Sequence, residues 1–194
     1  MPVSPLRVPH VDSRGRQGQF VDQTAPFQKT ERGSVTWSAG LQIDTDGARG
    51  AGDRTHQSTT SLTVQGRSAD ASVTPYVALP PSVAKAAGLQ LGDLVKVTYK
   101  GTSAWAIFAD SSDDRGSRKL GEGSPALHSA LGHPLRSLND GLDDVVSFEA
   151  FPGSAAKLGV LANGFPDAAA ARSFGARLEA AQPAPVDSFD STPR

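Results

Sequence analysis

The chain contains no cysteine among its 194 residues, which removes disulfides, thiolate metal ligands and cysteine nucleophiles from consideration. It has no surplus of either charge. Nineteen Lys and Arg stand against 20 Asp and Glu, a net charge of -1, without the cationic excess that nucleic-acid phosphates require. No apolar run approaches the roughly 20 residues that span a bilayer. Residues 1 to 33 scatter their apolar positions singly among Pro, Gly, Gln and charges, so the apolar segment of a secretory signal is missing too. Internal repeats are absent.

What the chain does have is punctuation. Its 20 glycines and 14 prolines exceed the usual share of about 12% for the two together. Such a composition favours a β-rich, loop-heavy single domain over a helical bundle. The arm at 1–34 is too sparsely apolar to offset its ordering entropy and is expected to be flexible, as is the Pro-rich tail at 182–194. Between them lies one folded domain, 35–181, expected to be a monomer.

Within that domain VTWSAGLQIDTDG reads as a strand ending in a turn at Asp46-Gly47, followed by a polar surface loop over 48–60. VTPYVALPP has strand character limited by Pro75, Pro80 and Pro81 to strand ends or sheet edges. SVAKAAG reads as a helical turn stopped by Gly88. LVKVTY (94–99) and SAWAIFAD (103–110) form a hairpin across Lys100-Gly101. Simple alternation puts Trp105 and Ile107 on one face, and Ala106, Phe108 and Asp110 on the other. A polar loop over 111–121 then leads to a short helix with Pro125 in its first turn and Gly132 at its end. DVVSFEAFPGS is a late strand, and Asp167 caps an Ala-rich final helix.

Two carboxylates stand out: Asp110, which ends an apolar strand, and Glu122, between two glycines. A carboxyl against apolar walls holds its proton more tightly than a solvated one. That separation suits one acid and one base acting across a cleft, as in glycoside hydrolysis. A strand-end Asp also commonly caps a turn. Asp44 and Asp46 either bind the amino groups of a sugar or close an Asx turn. Trp37, Tyr76 and Trp105 either stack on sugar rings or belong to the core. His56, His128 and His133 show no metal-ligand spacing, and the acidic positions lack the EF-hand pattern, so neither a metal nor another cofactor is expected.

In order along the chain, IDTDG (43–47), TPYVALP (74–80), LGDLVKV (91–97), AWAIFADSS (104–112), LGEGSPALHSALG (120–132) and VVSFEAFPGS (145–154) resemble the chitosanases of glycoside hydrolase family 75. The likeness covers about 36–160 and fits a bacterial-type, cysteine-free member, with Ala109 where a Gly commonly precedes the catalytic Asp. It implies an α+β fold, mainly β with short helices around a six-stranded double-psi β-barrel. It also implies an endo-acting, inverting hydrolase of β-1,4 links in chitosan or a related amino-sugar polymer, with Asp110 and Glu122 as the catalytic pair. Burial of its strand favours Asp110 as the acid, which leaves Glu122 as the base.

The charges of the loop after Asp110 nearly cancel, which opens a second reading. This is a secretion-system effector that attacks peptidoglycan in a target cell's periplasm and is accompanied by an immunity or delivery protein. A non-catalytic carbohydrate-binding barrel is a third. In each case the partner is a polysaccharide outside the producing cell's cytoplasm, rather than nucleic acid or membrane.

Overall fold

The computed structural model describes residues 25–49, 56–112 and 120–181, with strand segments at 5–6, 10–11 and 17–18. The tail, most of the arm, and the loop stretches 50–55 and 113–119 lie outside the described residues.

In chain order the strands are β1 (Pro5–Leu6), β2 (His10–Val11), β3 (Gln17–Gly18), β4 (Ala25–Lys29), β5 (Val35–Ile43), β6 (Thr63–Val64), β7 (Arg67–Ser68), β8 (Tyr76–Ala78), β9 (Leu94–Tyr99), β10 (Thr102–Asp110), β11 (Glu122–Gly123) and β12 (Leu142–Phe151). The helices are α1 (Pro81–Ala87), α2 (Pro125–Ala130), α3 (Ser154–Leu158) and α4 (Ala168–Ala180).

Six strands close on themselves in the order β5, β11, β8, β10, β9, β12 and back to β5, giving a β-barrel with a few short helices. The β5–β11 and β8–β10 junctions are parallel and the other four antiparallel. Each parallel junction requires a crossover. Along the chain the β8–β10 connection lies within the β5–β11 connection. Closure gives each barrel strand a neighbour on both sides, and the first half of β5 also pairs with β4.

Alternation decides what fills the barrel. Trp37, Leu41, Val77, Val95, Val97, Phe108 and Phe148 converge in one buried cluster. Tyr76, Trp105, Ile107, Phe151, Ala171 and Leu178 form a second cluster, where α4 covers the outer face. Asp167 caps α4 by accepting from the Ala170 N–H at 2.8 Å. A side chain at Gly175 would run into the Trp105 ring, so the glycine sets how closely α4 approaches β10. Gly175→Ala is expected to cost about 1–3 kcal/mol by overpacking. A fall in thermal midpoint measures it, and an unchanged midpoint would refute the contact.

The expected hairpin at Lys100-Gly101 forms with both residues at positive φ, +45° and +83°, the turn type that matches strand twist. The expected stops at Gly88 and Gly132 also sit at positive φ. Pro75 and Pro80 bracket a strand of only three residues, yet β8 lies inside the barrel between β10 and β11, so the prolines act at its ends and not at a sheet edge.

Other features depart from expectation. Ala25–Lys29, read as part of a flexible arm, pairs antiparallel with β5, and Phe27 is buried against Trp37. Asp93 is fully buried and ties the turn before β9 to the start of α3. It accepts from the N–H groups of Gln90 (2.9 Å), Gly153 (3.1 Å) and Ala155 (3.0 Å). Among the described residues, no helix is long and apolar enough to cross a membrane.

Candidate active site

The last residues of β10 break the simple alternation. Ile107 stands opposite Tyr76 and Phe108 opposite Val77, but Asp110 stands opposite Ala78, so one residue is extra. At such a bulge two successive residues oppose one, and both can turn to the same side. Ala109 joins Trp105 and Ile107 in the outer cluster. Asp110 is therefore not on the face of Ala106 and Phe108 as alternation predicts. It lies on the flank that carries Tyr76.

This shift brings together residues far apart in sequence. One carboxylate oxygen each from Asp44, Asp46 and Asp110 lies within 4.8 Å of the other two. Asp44 and Asp46 follow the end of β5 in an Asx turn, where the Asp44 Oδ1 accepts from the Asp46 N–H at 2.9 Å. The Asx turn expected from sequence is present, with a carboxylate oxygen of each residue close to Asp110. Gly47 completes the turn at φ +78°, where a side chain would also collide with the Ala69 carbonyl.

Asp110 is only 5% exposed. Its Oδ1 accepts three hydrogen bonds, from the Ser61 N–H (2.9 Å), the Ser61 hydroxyl (2.7 Å) and the Ser111 N–H (2.7 Å). Its Oδ2 is buried without a hydrogen-bond partner. A carboxylate oxygen in that state is costly unless something shares it. Burial pushes the Asp44 carboxyl up to about 6, and the charges of Asp110 and Asp46 add to the rise. The Asp46 N–H and the Tyr76 hydroxyl act in the opposite sense. Three carboxylate oxygens this close raise the proton affinity of the group and have the chemistry of a hard-cation ligand set.

Glu122 enters from the other side. A side chain at Gly121 would collide with the Gly40 carbonyl, and one at Gly123 would come within 2.8 Å of Leu127 and 3.0 Å of Leu41. The two glycines thus let the short strand β11 slot between β5 and β8. There Glu122 stands opposite Gln42 on one side and Ala78 on the other. Asp110 and Glu122 both register with Ala78, so both sit on one flank of the barrel, two strands apart. That is about 10 Å between backbones at the usual strand spacing.

Two expected sugar-stacking residues do not reach a ligand. Trp37 is 2% exposed, its ring covered by Phe27 and Phe148 with centroids 5.0 Å away in each case, and its Nε1 donates to the Leu120 carbonyl. It belongs to the barrel core. Tyr76 is fully buried, and its hydroxyl is shared between the Asp44 (3.3 Å) and Asp46 (3.0 Å) carbonyls. Burial and the Asp44 charge hold that hydroxyl far above its usual range, so it remains a donor that braces the acidic turn. Trp105 is also core, packed on Phe151.

Sequence reasoning missed Ser61 and His56. The Ser61 hydroxyl supports Asp110, and its only signal was a polar residue next to an apolar one. His56 lies with Nδ1 2.9 Å from the Thr45 carbonyl and 4.0 Å from Asp46 Oδ1, so the tautomer with a proton on Nδ1 fits. His128, in α2, is buried with Nδ1 unpartnered, and burial pushes it down to about 4, which keeps it neutral.

No protein-family model and no curated protein matches the chain.

Proposed function

We propose that the protein is an endo-acting, inverting glycoside hydrolase that cuts β-1,4 links in an amino-sugar polymer, with chitosan as the candidate named by the resemblance. One observation carries the reading: a buried carboxylate, Asp110, with an unshared oxygen beside a carboxyl that favours its proton, Asp44, on the flank that bears Glu122.

The geometry sharpens the roles. Asp110 alone is not the acid. Asp44, whose carboxyl burial and the neighbouring charges push up, holds the proton beside Asp110. That proton passes to the glycosidic oxygen as the bond to the anomeric carbon breaks. Glu122 takes a proton from water, whose oxygen attacks the anomeric carbon from the opposite side. Inversion needs carboxyls about 6.5–9.5 Å apart, a span compatible with residues two strands apart on one flank. Asp46 positions Asp44 through the Asx turn, and Ser61 fixes the Asp110 carboxylate through its Oδ1. A substrate of this kind implies work outside the producing cell or in a target cell's periplasm.

Mass spectrometry of products from chitosan, chitin and purified peptidoglycan, incubated in parallel, tests the reading. Oligosaccharides cut at β-1,4 links are expected from at least one, and Glu122→Gln should lower their yield by roughly 10²–10⁴-fold. Binding without products from any polymer would mark a non-catalytic barrel instead.

A further inference from the structure

Beside the acidic turn opens a groove of about 890 Å³. It is lined by Gly47 to Arg49, by Arg67 of the β6–β7 hairpin, and by His56, Ser58 and Thr59. The groove abuts the site directly. His56 touches both Thr45 and Asp46, and the 58–59 stretch runs into Ser61, which holds Asp110.

The charge of this groove is opposite to what a polyamine sugar needs. Arg49 and Arg67 are exposed, and neither forms an ion pair among the described residues. The one carboxylate lining it, Asp70, is engaged by Ser72 through the N–H at 2.9 Å and the hydroxyl at 2.6 Å. Asp44, Asp46 and Asp110 do not line the groove, and Asp46 next to it accepts from the Gln57 N–H at 2.6 Å with His56 beside it. Guanidinium groups stay charged at any working pH and pair with carboxylates through two parallel hydrogen bonds. Ser58 and Thr59 add hydroxyls suited to sugar and amide groups.

We propose that this groove binds the acidic substituents of an anionic amino-sugar polymer, with Arg49 and Arg67 pairing with carboxylates carried by the glycan, so that the substrate class is a carboxylate-bearing β-1,4 glycan and not polycationic chitosan. The inference rests on the hydrolase reading for what happens to the bond, but it concerns binding alone. Peptidoglycan, with lactyl and peptide carboxylates on a β-1,4 amino-sugar chain, has this chemistry. A fully deacetylated chitosan carries an ammonium on every sugar, which two unpaired arginines repel.

Calorimetry on the full chain carrying Asp110→Asn measures binding without turnover. The probes are soluble uncrosslinked peptidoglycan strands and fully deacetylated chito-oligosaccharides of equal length. Peptidoglycan strands are expected to bind more tightly, with an affinity that falls as salt is raised. Adding Arg49→Gln and Arg67→Gln should weaken that binding by roughly tenfold and leave the chito-oligosaccharides unweakened. Equal or tighter binding of the cationic oligomer, an unchanged affinity in the double variant, or no binding of peptidoglycan strands would each overturn the proposal. Failure of the hydrolase reading looks different: peptidoglycan strands bind in the arginine-dependent way, yet the wild-type protein releases no product.

Discussion

Asp110→Asn is expected to remove product release, by roughly 10²–10⁴-fold or more, while leaving the barrel folded. Asparagine keeps an oxygen that can accept the three hydrogen bonds from Ser61 and Ser111 on the Oδ1 side. The loss is confined to the other side. The buried, unpartnered Oδ2 becomes an amide NH₂, which can neither take up nor release a proton in the reaction. The variant should retain the thermal midpoint and circular dichroism of the wild type and fail only in a reducing-end assay. A folded variant with full activity would show that Asp110 is a turn residue whose burial serves the bulge alone.

The second large effect is on stability and needs no substrate. Burial raises the Asp44 carboxyl from 3.8 to about 6 in the folded protein, so the native state binds this proton more tightly than the unfolded chain does. Where the native state binds more protons, stability falls as pH rises. The contribution of Asp44 is therefore most favourable below about pH 4 and is lost as pH climbs through about 6. The difference between 3.8 and about 6 amounts to roughly 3 kcal/mol. Asp44→Asn keeps the acceptor for the Asp46 N–H but removes the buried charge. It should stabilise the protein by about 2–3 kcal/mol at pH 8, a gain that shrinks toward zero near pH 4. Denaturant melts of both proteins at the two pH values read this out, and a gain of the same size at both would contradict it. His128 acts in the opposite sense: its burial lowers it to about 4, so its contribution is lost as pH falls from about 6.5 through 4. It is common to both proteins and drops out of the comparison.

The parts of the fold that local chemistry dictates were legible in the sequence. The Lys100-Gly101 turn, the Gly88 and Gly132 stops and the Asp167 cap depend on residues within a few positions of one another. Alternation correctly separated Trp105 and Ile107 from Ala106 and Phe108, which pack in different clusters. It failed at Asp110 because a bulge is a relation to a partner strand, and β10 meets β8 in parallel across a crossover that nothing near residue 109 announces. The candidate site was half legible for the same reason. Asp44, Asp46, Asp110 and Glu122 each stood out individually, but the closeness of the first three arises from closure of the barrel. Trp37 and Tyr76 were open either way, since an aromatic in a strand has the same local pattern inside or outside. The stacking of Phe27 and Phe148 on Trp37 depends on strands distant in sequence. Ala25–Lys29 went unread as a strand because its Phe27 stands apart from any apolar alternation, and it is the edge of the first half of β5 that recruits it.

The central claim is that the Asp44–Asp110 pair and Glu122 act from opposite sides of a glycosidic bond. Proton NMR of reducing ends during the first minutes of digestion of a soluble β-1,4 amino-sugar polymer tests it most directly. α-Anomeric ends are expected to appear before mutarotation and to be absent with Asp110→Asn. Initial release of β-anomeric ends, or α-anomeric ends that persist in the Asp110→Asn protein, would contradict it.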